Sequence, residues 1–587
     1  MIVPMRKIFV ACRGSERQQF LDALASLGVV HVVPIDPAKA DVDDQLASGL
    51  AAIERALQVL ADITPAGAPA DLPPREVAEK VLELQRRQAE CESRLTALYR
   101  QLETVQSLWG ELRLDQLETL RRAGVEIGFC SIPSDEVSAI QGDCVHPLHK
   151  LGGRRILVAV VSRNGSPELP DTAEPIPLPS RDAAGIRAEA AELDAQRKQA
   201  AGQLAALAAH VPALEAERER LQEKALFDRT LKSGLNSDPL FAVQGWVPAE
   251  QADDLAERLA ATGINAAVEL SEPSPDEQPP TLLRPPAWAR PIQGLLETLG
   301  TVSGYREFDV SVPFMLALPI FAAMLISDGG YGAILLFGPL AFYKKVSRTL
   351  GAQFTQLIMV VGATSLVWGF ICATFFGVTL YPPLIEVGLS DQARWLLMKI
   401  SFVMGGIHLS VAQLWQAVRY WPDQRFLNKV GWTLFIWGVF GLVGFFVLNV
   451  PVGRRTHVLL ILGFLLIVLF AEPARNPLKR LGWGLASFPL SALSAFSDII
   501  SYVRLMAVGL ASSVLATSFN EMAWEAGFLP LTVVVLIFGH GLNLGLAMIA
   551  LFAHGVRLNM LEFSNNLGMQ WTGYRYAPFV TRALQEN

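Results

Sequence analysis

Cysteine is scarce in this chain. Its 587 residues include five, Cys12, Cys91, Cys130, Cys144 and Cys372. The number is odd and none stand at metal-ligand spacing, which excludes a disulfide scaffold and a zinc finger and reads as reduced cytoplasmic thiols. The motifs of nucleotide and metal chemistry are also absent. There is no GxxxxGK[ST] phosphate loop, no HExxH and no paired CxxC, so no catalytic nucleotide site, cofactor or metal is expected in this chain. A large excess of one charge is missing too. Against 49 basic residues stand 56 acidic ones, a net charge of -7, which points to neither nucleic-acid binding nor an acidic tail. The opening MIVPMRKIFV lacks the apolar core and cleavage signal of a secretory leader, and roughly the first 310 residues contain no long apolar run. That half is expected to stay in the cytoplasm.

What is present divides at about residue 310. From Val312 onward, apolar runs of about 16 to 30 residues repeat, long enough for a hydrocarbon core of about 30 Å. The expected fold is mostly α with small α/β lobes. Residues 1–310 form a cytoplasmic coiled-coil arm with two α/β lobes, and residues 311–587 a polytopic α-helical membrane domain. Met5–Ala11 alternates like a strand, Glu16–Leu27 like a helix and Val29–Ile35 like a strand. Together with short apolar runs further on, they predict one lobe at about 1–40 with 115–180. FAVQGWVP, ADDLAERLAAT and NAAVEL predict a second lobe at about 236–272. Heptads lie between. Val81, Leu84, Gln88, Cys91, Leu95, Leu98, Leu102, Val105 and Trp109 step by three and four, as do positions from Ile186 to Leu221. They predict coiled coil at about 42–112 and 182–232, the long segments pairing antiparallel within the chain. A rod with a lobe at each end is a strut, not a substrate pocket.

The apolar half predicts about eight spans, near 312–327, 329–343, 354–378, 395–419, 429–449, 456–471, 487–521 and 531–567. The first two make a hairpin pivoting at Asp328, Gly329 and Gly330; the alternative is one long helix there, which makes seven spans. The count of eight puts Lys344, Lys345, Arg348, Arg419, Arg425, Lys429, Arg475, Lys479, Arg480, Arg575 and Arg582 on the cytoplasmic side, and Arg394, Arg454 and Arg455 outside. The asymmetry obeys the positive-inside rule and places both termini in the cytoplasm. The last two helices are long. About 33 residues reach about 50 Å, so each must tilt or project from the bilayer.

Both carry polar stripes. In the seventh, Ser491, Ser494, Asp498, Ser501 and Arg504 share a face, and Ser512, Ser513 and Thr517 follow. In the eighth, His540, Asn543, His554 and Arg557 share a side, with Glu562 beyond. A guanidinium at bilayer depth costs at least about 2.5–3.5 kcal/mol and does not shed its proton. Asp498, six residues before Arg504, is rotated roughly 120° from it. Arg504 is therefore expected to look to a group outside this pair, either elsewhere in the chain or outside it.

FSDIISYVRLMAVGLA resembles the arginine-bearing helix of the membrane stator subunit of V/A-type rotary ATPases, called subunit a, or subunit I in prokaryotes. FGHGLNL, FAHGVRLNMLEF and the closing YAPF resemble that family's final helix and tail; the amino-terminal strand, GWVP, EFDVSVPF and ISDGGYG are similar too. The resemblance runs in order along essentially the whole chain. It implies an ion-translocating stator of the prokaryotic inner membrane, carrying protons or sodium ions. Arg504 meets membrane-embedded carboxylates on a rotor ring of proteolipid subunits, and Arg557 is its partner. It further implies peripheral-stalk subunits at the distal lobe, a central-stalk subunit near the proximal lobe, and ATP hydrolysis or synthesis on other subunits. Depth places Asp498, Ser494, His554 and Glu562 along a cytoplasmic half-channel, with Ser501 on the same stripe. Ser512, Ser513, His540 and Asn543 fall along the opposite one. Ser512 and Ala547 stand where some relatives have a histidine and a glutamate, so the outer route is less ionisable here. The rival function is a secondary transporter with a cytoplasmic coiled-coil regulatory domain. It calls for internal repeats around a central site, and no repeat is evident.

Overall fold

The computed structural model describes residues 1–580 apart from 42, 68–71, 141, 152, 164–168, 170–171, 238, 449 and 472–476. It divides into two compact units. One holds residues 1–10, 29–33 and 244–578, and the other 11–28, 34–243 and 579 onward.

The second unit holds the heptad segments. Helices Asp44–Leu60, Pro74–Trp109, Ala183–Leu207 and Val211–Ser233 make its rod. Leu95, Leu98 and Val105 pack on Ala183, Ile186 and Ala190. Val77, Ala78 and Val81 meet Leu204, Ala208 and Leu214, with Ile53, Ala56 and Leu60 closing the cluster. The start of one long helix thus lies against the end of the other, the antiparallel pairing the heptads predict. The seam from Ile186 to Leu221 is not continuous, however. A single 3-10 turn at Ala208–His210 interrupts it, and Pro212 stands in the first turn of the next helix. Proline lacks the amide donor an unbroken helix needs there.

Asp182 sets the start of the Ala183–Leu207 helix. Its Oδ1 accepts from Gly185 N at 2.8 Å and its Oδ2 from Leu114 N at 3.3 Å. These backbone donors, the Gly185 bond foremost, hold its carboxyl below the usual carboxylate range. The native state therefore binds fewer protons than the unfolded chain. The cap's contribution is complete above about pH 4 and is lost as pH falls through the lower native value. Asp182→Ala is expected to cost about 1 kcal/mol and to remove the acid-dependent loosening of this helix start. Amide exchange of residues 183–187 across that pH range checks both.

Two sheets flank the rod's sequence. One runs Cys144–Lys150, Arg155–Ser162, Glu126–Pro133 and Glu174–Pro175, all antiparallel. Trp109 packs edge-on against Phe129 at 4.9 Å and fastens the helix end to it. Residues 1–40 do not join this lobe, contrary to the grouping expected from sequence. Met5–Arg13 and His31–Val33 enter a sheet with Leu240–Pro248 and Ala267–Ser271, in the order His31, Leu240, Met5, Ala267. Alternation marks a strand but carries no information about a partner some 200 residues away. Gly245, from the GWVP motif, permits this pairing; a Cβ there would lie 2.5 Å from His31 O.

The other unit contains the apolar helices. Among the described residues, five are long and apolar enough to cross a membrane: Ala352–Cys372, Asp391–Tyr420, Arg425–Phe446, Leu478–Glu525 and Leu529–Leu567. The last two run 48 and 39 residues. Ser311–Ile326 and Gly329–Ala341 are apolar but shorter, at 16 and 13 residues, and Arg454–Leu469 has 16. Ser311–Ile326 and Gly329–Ala341 run in opposite directions against Ala352–Cys372. Thr364 Oγ1 reaches Pro319 O at 3.0 Å, and Gly362 lies against the backbone of Gly332 and Leu336. The pivot is Asp328, 1% exposed. Its Oδ1 accepts from the amides of Gly330, Tyr331 and Phe376, and its Oδ2 from Gly377 N at 2.8 Å.

The tail returns from the last helix to the opening segments of the same unit. Glu307 Oε1 accepts from Gln570 N and Trp571 N, Thr281 pairs with Tyr574 and Tyr576 through backbone bonds, and Tyr576 Oη donates to Val29 O. EFDVSVPF and the YAPF tail therefore act as a clasp.

Candidate functional site

Arg504 stands just past a break in the 48-residue helix. The α-helix Pro477–Ser501 ends, Tyr502 forms a turn, and Val503–Glu525 continues. Arg504 Nε donates to Ser501 O at 3.0 Å, and its Nη2 donates to Glu562 Oε1 at 2.9 Å. The arginine side chain keeps 22% exposure while Glu562 has 5%. Arg557 Nε lies 3.9 Å from the same Glu562 oxygen and is 53% exposed. One buried carboxylate therefore faces two cations.

Local winding makes this possible. The last helix changes to π-helical turns at Leu551–Val556 and Leu558–Phe563. A π-turn bonds i to i+5, which stacks Arg557 above Glu562. In an α-helix, five residues would turn them about 140° apart. Behind the pair, Asn566 Nδ2 donates to Asp498 Oδ2 and to Glu562 O, each at 2.8 Å, and Gln413 Nε2 donates to Asn566 Oδ1 at 3.0 Å. The Tyr502 ring is buried beside Phe321 and hydrogen-bonds His408 Nδ1 at 2.8 Å; His408 stacks on Phe563 at 4.4 Å.

A second polar group lies further along the helix. Ser512 is eight residues past Arg504, about 12 Å along the axis. Its Oγ contacts Ile326 O and Asn543 Oδ1. Asn543 Nδ2 donates to Ser512 O at 2.9 Å and to Tyr331 Oη at 3.0 Å. Tyr331 Oη meets His540 Nδ1 at 2.8 Å, and His540 Nε2 meets Asn520 Oδ1 at 3.1 Å. Asn520, His540, Tyr331, Asn543 and Ser512 thus form one continuous hydrogen-bonded chain.

No family model matches the chain. Full-length relatives do. "V-type ATP synthase subunit I 1" of Treponema pallidum is 28% identical over 651 residues, covering 99% of this chain and 100% of the relative. "V-type ATP synthase subunit I" of Borreliella burgdorferi is 26% identical over 618 residues, covering 99% of each. Along essentially its whole length the chain is similar to V-type ATP synthase subunit I. "A-type ATP synthase subunit I" of Archaeoglobus fulgidus is 25% identical over 412 residues, 59% of this chain and 60% of its own length. A crystal structure of the cytoplasmic N-terminal domain of subunit I, homolog of subunit a, of V-ATPase aligns over 45% of this chain and 100% of that one. At 13% identity and a TM-score of 0.18, it carries no argument.

The residues singled out from sequence fall into three sets. Arg504, Arg557, Glu562 and Asp498 converge, the last through Asn566. Ser512, His540 and Asn543 join the second chain, and Ser513 is buried beside it, its carbonyl accepting from Thr517 Oγ1 at 3.1 Å. The third set stays apart. Ser494 is exposed on its helix, Ser501 contributes its carbonyl rather than its hydroxyl, and His554 Nδ1 is buried with no hydrogen-bond partner among the described residues. Arg504 does look outside its pair with Asp498, but to a partner within this chain rather than outside it. That partner is Glu562, five residues past Arg557, a spacing that an α-helix turns to a different face. Tyr331, Asn520, Asn566 and Gln413 were not anticipated. Tyr331 lies in ISDGGYG, a motif noted for its hairpin pivot and its resemblance but not for this side chain.

Proposed function

We propose that this chain is the membrane stator of a prokaryotic V/A-type rotary ATPase, carrying protons or sodium ions between two half-channels. Arg504 favours the ionised form of each rotor-ring carboxylate that reaches it and blocks a direct leak between the half-channels. The observation that carries this reading is the pairing at 2.9 Å of a still part-exposed Arg504 with a buried acid, while a second arginine stands open beside them. Two arginines exceed what one glutamate can neutralise, and a purely structural anchor has no use for that surplus. Asp498, Glu562 and His554 belong to the cytoplasmic route. The chain from Asn520 to Ser512 belongs to the opposite route. The arm resists torque and joins peripheral-stalk and central-stalk subunits. Eight crossings, with both termini cytoplasmic, follow if the three shorter helices also cross.

Purification of the native complex tests the assignment. A ring proteolipid and stalk subunits are expected to co-purify; their absence, with solute transport by the chain alone, favours the secondary transporter. Within the complex, Asn543→Ala breaks the chain at its centre. It is expected to slow coupled transport about tenfold, the effect of about 1.4 kcal/mol on a barrier, while ring association persists. Ion uptake into proteoliposomes measures it. Unchanged uptake for both Asn543→Ala and Tyr331→Phe removes this chain from the ion path.

A further inference from the structure

The geometry points to Glu562 as an exchangeable internal counter-ion, which yields Arg504 to an incoming carboxylate and moves to Arg557; this rests on the stator reading above. Four observations carry it. Glu562 is the acid paired with either arginine among the described residues. The same oxygen already lies 2.9 Å from Arg504 and 3.9 Å from Arg557, so the exchange needs a side-chain swing rather than a helix shift. The other oxygen, Oε2, is buried without a hydrogen-bond partner among the described residues, leaving Glu562 less firmly held than a structural acid such as Asp328. Arg557, at 53% exposure, has room for it.

The charges agree. Glu562 alone is in ion-pair contact with the two guanidiniums, so one of them can pair with a further carboxylate from a neighbouring helix. An arginine buried without a partner is strongly unfavourable. With Glu562 as resting partner, Arg504 stays paired before a carboxylate arrives and after it leaves. Glu562 also competes for Arg504, which keeps the incoming carboxylate from binding so deeply that it cannot be released. The exchange moves ion pairs only; no bond is made or broken. Asp498 does not take part, because Asn566 holds it.

The test uses the assembled complex. Glu562→Gln keeps the shape and removes the charge. ATP-driven turnover is expected to fall about tenfold with the KM for ATP unchanged and the ring still bound, and Glu562→Asp is expected to recover most of it. Wild-type turnover in Glu562→Gln overturns the exchange. If Arg504→Ala still pumps ions, the stator reading itself falls, so the two failures are distinguishable. Should Glu562→Gln fail to assemble, a density map of the wild-type complex decides. With a partner carboxylate on Arg504, Glu562 is expected within about 4 Å of Arg557 and detached from Arg504. An unbroken Arg504–Glu562 pair in that state overturns the proposal.

Discussion

Arg504→Ala is expected to abolish coupled ion transport, by at least about a hundredfold, the scale seen when one preorganised charge-stabilising group is removed. Assembly is expected to survive. Deleting one member of a buried pair leaves the other uncompensated, at a cost of about 3–5 kcal/mol. Here Arg557 is already 3.9 Å from Glu562 and takes over as its partner. The double variant Arg504→Ala with Glu562→Gln removes any residual cost and separates lost function from lost structure. Arg504→Lys is expected to fail as well, since a desolvated ammonium can lose its proton whereas a guanidinium does not. Ion uptake into proteoliposomes, with ring content measured on the same sample, checks all three. Normal pumping by an assembled Arg504→Ala complex removes Arg504 from the mechanism.

The largest effect on stability is expected at Asp328. Its two oxygens accept from four backbone amides, two in the turn that opens Gly329–Ala341 and two in the short hairpin Thr374–Thr379. A hydrogen bond to a charged group contributes about 1.5–3 kcal/mol, and a buried donor left without an acceptor costs more than the bond is worth. Asp328→Ala is expected to destabilise the membrane unit by about 3–5 kcal/mol, since bonds sharing one carboxylate do not add fully. Asp328→Asn is expected to fall between, because it turns one acceptor into a donor facing an amide. Thermal unfolding in detergent measures the loss. Faster proteolysis around Phe376 and Gly377 would locate it; equal unfolding temperatures for Asp328→Ala and wild type would exclude the role.

Much of the fold is legible from the residues. Heptads from Val81 to Trp109 locate a helix and its buried face, and Leu95, Leu98 and Val105 lie in the seam as spacing requires. The change in composition near Val312 marks the onset of the apolar helices. Strand partners are less legible. Met5–Arg13 pairs with segments beyond residue 240, and nothing in its own alternation distinguishes those from Glu126–Pro133. The site divides similarly. Ser512, His540 and Asn543 are recognisable as polar residues in apolar stretches, but Tyr331, which joins them, lies in a motif that also explains a turn.

Local chemistry was thus enough to determine which segments are helical, where apolar stretches begin, and that Arg504 and Arg557 stand among apolar residues at a cost needing a reason. Tertiary structure alone decided what they face. Glu562 reaches both because π-helical turns replace α-helical ones between Leu551 and Phe563. That change of winding stacks residues five apart, where α-helical spacing separates them, and it shows only when the whole helix is packed against its neighbours.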